Sequence, residues 1–198
     1  MSVIDFSQGA VNSEDELREI AGVPHEFVVK KTIPIIDDHC KNFIEMSPLL
    51  FLATSNAEGK CDVSPRGDKP SSVAILNKHQ LVIPDRPGNR RLDSIMNILS
   101  NPQIGLIFLI PGLNEVLRIN GKATIIKNPE VLNKLSLKDR PPSLGIGVDV
   151  EECFIHCPRA LKKSKVWEPE SWQDSEAMPS VEEIFHAALR LNGVEIKK

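Results

Sequence analysis

Tyrosine is absent from the 198 residues, and aromatic residues make up only 5% of them. That removes a tyrosine general acid and argues against a platform for stacking single-stranded nucleic acid. Cysteine is sparse, with Cys40, Cys61, Cys153 and Cys157 alone, so the chain does not read as a disulfide scaffold. No apolar run approaches the roughly 18–20 residues of a membrane helix. The longest, Ile104 to Ile110, is interrupted by Gly105 and closed by Pro111. The opening residues lack a basic segment followed by an apolar one, so no signal peptide is expected. A net charge of −3 provides no basic field for nucleic acid. Repeats, low-complexity tracts and a Walker phosphate loop are also missing. These absences leave a cytoplasmic protein with reduced thiols, without nucleic-acid or membrane partners.

What is there is globular: 41% hydrophobic and 26% charged residues, enough for one domain. Ser13 and Glu16 form a capping box ahead of a helix over 13–21, stopped by Gly22. Asp37 caps a second helix that carries Cys40, Phe43, Ile44 and Met46. Strands are predicted at 49–54, 60–64, 72–76 and 80–83, separated by turn residues. Next comes a helix whose apolar face is Leu92, Ile95, Met96 and Leu99. Strands at 104–110 and 116–126 follow, then a helix at 129–137 and a last strand at 146–155. A short helix is expected after Pro158, a surface loop over 168–179, and a helix from the Ser180 capping box to Gly193. Strands sit mostly beside strands, so the pattern is mainly β with flanking helices. It fits a six- to seven-stranded antiparallel barrel, closed or split. One domain spans 1–198, with a helical extension over 1–32, the barrel over 33–160 and a helical tail over 161–198.

Four segments could carry chemistry. The first is Pro84 to Asp93, which runs from a strand through a Pro/Gly turn into a helix. A helix start attracts anions, Asn89 is a suitable cap, and Arg86, Arg90 and Arg91 offer forks that match phosphate oxygens. The plainer alternative is a solvated face with arginines paired to Asp85 and Asp93. The second is Asp62 to Pro70, where Gly67 allows close backbone approach and Arg66 or Lys69 can neutralise a charged ligand. The third is Cys153-Phe154-Ile155-His156-Cys157. A strand places residues 153 and 157 on one face and 156 on the other, so structural thiols fit better than a zinc site, and no metal is expected. Cys157 beside His156 stays open as a thiol nucleophile. The fourth is Lys162 to Trp167, either a charged helix end with one anchoring Trp or a Trp laid over an aromatic cofactor.

Taken in order, these residues resemble a known family. Leu52 to Ser55 with Gly59 to Asp68 is similar to the opening hairpin of the pyridoxamine 5′-phosphate oxidase-like, FMN-binding split-barrel proteins. Asp85 to Ser94 and Asn101 to Phe108 resemble its next segment, and Leu117 to Ala123 the following strand. His156 to Leu161 with Ser164 and Trp167 is similar to the C-terminal signature of one branch. The resemblance covers about 33–170 and implies a homodimer with FMN at the interface, acting as an oxidoreductase on a small-molecule substrate. It places the flavin phosphate on Asn89, Arg90 and Arg91. It places the isoalloxazine ring against Ser64, Pro65, Arg66, Gly67 and Asp68. The partner subunit is expected to add Glu115, Val116 and Trp167. Arg66, near the ring, would favour the reduced flavin. The flavin does the chemistry in such enzymes, so no catalytic side chain is assigned. True pyridoxine phosphate oxidases carry a C-terminal Arg-x-His element. Here the tail reads Ala160 to Trp167, which argues against vitamin B6 oxidation. A non-catalytic flavin or haem binder on the same fold is the alternative, and a metal or thiol enzyme built on Cys153, His156 and Cys157 is a third reading.

Overall fold

Ser13 Oγ accepts from the Glu16 N–H at 3.1 Å, and the Glu16 carboxylate accepts from the Asn12 N–H at 3.0 Å. This reciprocal cap opens α1 (Glu14–Ala21), and Gly22 ends it at φ 76°. The computed structural model describes residues 3–194. A short α2 (Glu26–Lys30), which local patterning did not predict, precedes α3 (Asp38–Met46). Asp37 caps α3 through the Cys40 N–H at 2.7 Å.

Then come β1 (Leu49–Ser55), β2 (Cys61–Gly67), β3 (Ala74–Asn77), β4 (Gln80–Asp85) and α4 (Asp93–Ser100). They are followed by β5 (Gln103–Leu109), β6 (Val116–Ile126), α5 (Pro129–Asn133) and β7 (Leu144–His156). The helix expected over 129–137 is thus a single short turn. After it, α6 (Arg159–Ser164) and α7 (Val181–Leu191) stand on either side of two 3₁₀ turns in the expected loop. Chain contacts divide the molecule between Pro158 and Arg159.

The seven strands form one antiparallel sheet in the order β2-β1-β5-β6-β7-β4-β3. The sheet is not closed; β2 and β3 are its edges. A register shift between Asn120 and Gly121 bends the long β6–β7 ladder. Gly121 is required there, because a Cβ would collide with the Asp149 carbonyl oxygen.

Alternation along β1 sends Leu50, Leu52 and Thr54 inward. They meet Leu106 and Phe108 of β5, Leu117 and Ile119 of β6, Ile83 of β4 and Ile146 of β7 in one core, joined by Ile44 of α3 and Ile95 and Ile98 of α4. β4 is buried from Leu81 to Pro84 because both of its faces are covered: the main core lies on one, and Leu132 and Leu135 pack on Val82 from the other. The expected apolar face of α4 divides. Ile95 and Ile98 are buried, whereas Leu92, Met96 and Leu99 remain exposed.

Candidate functional site: a cleft across the split sheet

The inner face of β2 departs from the rest of the sheet. Asp62, Ser64 and Arg66 are half-buried, with Asp68 just beyond, while Cys61, Val63 and Pro65 face outward and are exposed. An edge strand with polar groups inward needs polar partners. They come from the opposite end of the sheet. Arg66 Nη1 donates to Asp85 Oδ1 at 2.8 Å, and Arg86 Nε donates to Asp68 Oδ2 at 2.7 Å. Two crossed ion pairs thus bridge the split between β2 and the end of β4.

Burial pushes the Asp68 carboxyl up. The Arg86 hydrogen bond, the Lys69 backbone N–H and the charges of Arg86 and Lys69 outweigh it and hold the group below the usual carboxylate range. Arg66 Nε is buried and has no hydrogen-bond partner. A buried guanidinium donor left unmet in the free chain marks a place for a ligand acceptor.

Two cavities flank these pairs. One, of about 440 Å³, is lined by Asp62, Ser64 to Arg66, and Asp85 to Ser94. The other, of about 230 Å³, reaches the apolar side chains Leu50, Val73 and Ile83 beneath Pro65 to Asp68. They share Pro65, Arg66, Arg86 and Gly88 and form one cleft. The structure therefore brings together Ser64, Pro65, Arg66, Gly67, Asp68, Asn89, Arg90 and Arg91.

The helix after the Pro/Gly turn starts later than its sequence suggests. It begins at Asp93, and its cap position is Leu92, at φ 58°, with no side-chain capping bond. Asn89 does not cap it; its Oδ1 accepts from the Arg91 N–H at 3.0 Å, inside the preceding turn. Arg91 Nε pairs with Asp93 at 2.8 Å, which raises the guanidinium's affinity for its proton through that hydrogen bond and charge. Arg90 sits at φ 64°, a left-handed conformation that a long side chain rarely adopts. Among the described residues, Arg90 is the cleft arginine with neither an ion pair nor a hydrogen bond.

Asp62 and Ser94 complete the wall. Ser94 is buried at 2% exposure, donates to Asp62 Oδ2 at 2.9 Å, and lies 2.9 Å from Ser64 Oγ. Neither residue stood out as a ligand contact, although polar residues at every second position from Asp62 to Asp68 carried the signal. Asn97 Nδ2 to Thr54 Oγ1 at 3.0 Å, and Asn101 Nδ2 to Ser55 Oγ at 2.9 Å, fix α4 against β1.

Glu115 and Val116 stand at the start of β6, away from the cleft lining of this chain, with Val116 buried opposite His156. Trp167 follows α6 in the C-terminal unit. Cys153 is buried in β7, whereas His156 and Cys157 are exposed. Burial and the Arg118 and Lys31 charges push the His156 imidazole down. Among the described residues no His, Cys, Asp or Glu group is placed to hold a metal ion, and no helix is long and apolar enough to cross a membrane.

The family profile of pyridoxamine 5′-phosphate oxidase matches residues 36–157, and the chain belongs to that family. No curated protein matches it. Among solved structures, a variant of HupZ from Group A Streptococcus superposes with a TM-score of 0.50 at 18% identity, over 61% of this chain and 99% of that one. General Stress Protein 26 from Bacillus anthracis gives 0.44 at 15% identity, over 58% and 88% of the two chains. The likeness to the HupZ variant is one of fold: a split antiparallel barrel with flanking helices.

Proposed function

We propose that this chain is an FMN-dependent oxidoreductase that works as a cytoplasmic homodimer, with the cleft between β2 and β4 holding the flavin. The observation that carries the reading is the buried, unpartnered Arg66 Nε in a cleft that also presents the unpaired Arg90. Arg90 and Arg91, with the turn at Asn89, hold the phosphate. Arg66 donates to an acceptor of the ring, and its positive charge, anchored by Asp85, favours electron density there. Leu50, Val73 and Ile83 provide an apolar floor that excludes water. Bound flavin supplies the electron transfer; the chain binds and orients it. The described cleft lining contains no His, Cys or Met to ligate a haem iron, so its donor set suits a flavin better than a haem.

A second cavity, of about 760 Å³, opens beside the cleft and shares Asp85, Arg86 and Pro87 with it. Its other wall carries Lys138 and Arg140 on a tight turn closed by two Leu137–Arg140 backbone bonds, with Lys138 and Asp139 both left-handed. Neither cation has an ion pair among the described residues. We assign this cavity to the substrate, a small anionic molecule with an apolar body.

Support for the dimer comes from the outer sheet face, where Pro65, Phe51, Ile107, Arg118 and Phe154 lie in register across five strands. Leu92, Met96 and Leu99 of α4 are exposed as well. Glu115, Val116 and Trp167 are assigned to the second copy's contribution.

The test is the visible spectrum of freshly purified protein, identification of the chromophore released by heat, and a screen for turnover with reduced nicotinamide. FMN released at one per chain, with turnover, supports the reading. A colourless protein that takes up no added FMN would overturn it.

A further inference from the structure

Hydroxyl chemistry on the cleft wall gives Ser64 a direction. A carboxylate accepts hydrogen bonds and donates none, and a serine hydroxyl has a single proton to donate. Ser94 spends its proton on Asp62 Oδ2, at 2.9 Å. The 2.9 Å contact between Ser94 Oγ and Ser64 Oγ must then be made with the proton of Ser64. Ser94 is fixed in this arrangement by burial at 2% exposure and by its place in the first turn of α4. Ser64 is consequently left with lone pairs and no proton to offer the cleft.

We infer that Ser64 is an obligate hydrogen-bond acceptor toward the cleft, and that the ligand group seated against it is an O–H or N–H donor rather than a phosphate oxygen. The second half rests on the flavin reading above. The next inward residue of β2 is Arg66, whose unpartnered Nε is a donor. Acceptor then donor, two residues apart on one strand face, selects a ligand edge that carries a donor beside an acceptor. In FMN that donor is either the ring N3–H or a hydroxyl of the ribityl chain. Phosphate is left to Arg90 and Arg91, which line the same cavity in the turn before α4. Ser64 is therefore a specificity-determining residue: it disfavours any ligand that presents only oxygen acceptors at this point.

The direction of the chain can be read without a ligand. Neutron diffraction from crystals of the full-length protein grown in heavy water near pH 7 should show the Ser64–Ser94 deuterium on Ser64. Finding it on Ser94, pointing at Ser64, would overturn the inference. The ligand half is read by FMN titration. Ser64→Ala should weaken FMN about 5- to 10-fold. Either 3-methyl-FMN or one ribityl-deoxy FMN should bind the wild type weaker by a similar factor and lose nothing further in Ser64→Ala. If instead the substitution weakens competition by inorganic phosphate and shows no coupling to those analogues, Ser64 serves the phosphate and the inference fails. A wild-type protein that binds no FMN would sink the flavin reading, while the neutron map still decides the proton's place.

Discussion

β1 and β2 are hydrogen-bonded neighbours of seven residues each, in register from Leu49–Gly67 to Ser55–Cys61. Their backbones obey the same alternation, yet they turn opposite chemistry inward. β1 sends in Leu50 and Leu52, at 4% and 0% exposure. β2 sends in Asp62, Ser64 and Arg66, half-exposed. The first strand has neighbours on both sides and closes the core. The second is an edge, so its inner face looks across the split to Asp85, Arg86 and Ser94. The difference teaches where function resides in this fold. The core ends one strand before the sheet does, and the remaining strand is released from packing to bind.

The comparison breaks hardest on the β1 side. Leu52→Ala leaves a cavity among fully buried side chains and should cost about 2–5 kcal/mol of stability, read by denaturant melts. Flavin affinity of the fraction still folded should change little. On the cleft side the effects invert. Arg90→Ala should weaken FMN roughly 10- to 100-fold, the worth of a charged hydrogen-bonding group, while the melting temperature of the free protein stays close to wild type. Full FMN retention in that variant would remove the phosphate from Arg90.

Asp68→Asn sharpens the comparison through pH. The folded Asp68 carboxyl titrates below its usual value. Its contribution is therefore present at neutral pH and is lost as pH falls from about 4, the ordinary carboxylate value, through the folded one. Thermal melts of the wild type should decline over that acidic range, and the variant should show a flatter profile. An unchanged acid limb would mean that the Arg86 pair does not hold the split together. The smallest effect belongs to the outer face of β2. Val63→Ser, at a position 62% exposed, should alter chain stability by no more than about 0.5 kcal/mol. Its readout is the dimer dissociation constant from sedimentation, which should rise if this face meets a second copy.

Much of this was legible locally. Ser13, Asp37 and Ser180 each cap the helix their spacing indicated, because a cap is a contact between residues two or three apart. Strand positions followed from alternation, and β2 also runs three residues further than its turn chemistry suggested. The arginine-rich turn was visible as well, but its helix was placed to start near Asn89. The left-handed residues Arg90 and Leu92 delay it to Asp93, and only the packing of Ile95 and Ile98 into the core, with Asn97 on Thr54, sets that phase.

By itself, then, the sequence determined an antiparallel barrel of the pyridoxamine 5′-phosphate oxidase family and a cleft built from 64–68 and 89–91. The barrel pattern rests on short-range periodicity; the family, and with it those cleft residues, rests on the resemblance carried by motifs read in order. Tertiary structure alone decided that Arg66 meets Asp85, that Arg86 meets Asp68, and that Ser94 meets Ser64. Those partners lie 18 to 30 residues apart: Asp85 and Arg86 at the end of β4, across the sheet from β2, and Ser94 in the first turn of α4. The ion pairs form because a twisted, open seven-stranded sheet curls around one core and brings β2 toward the end of β4, a consequence of curvature that no local pattern contains.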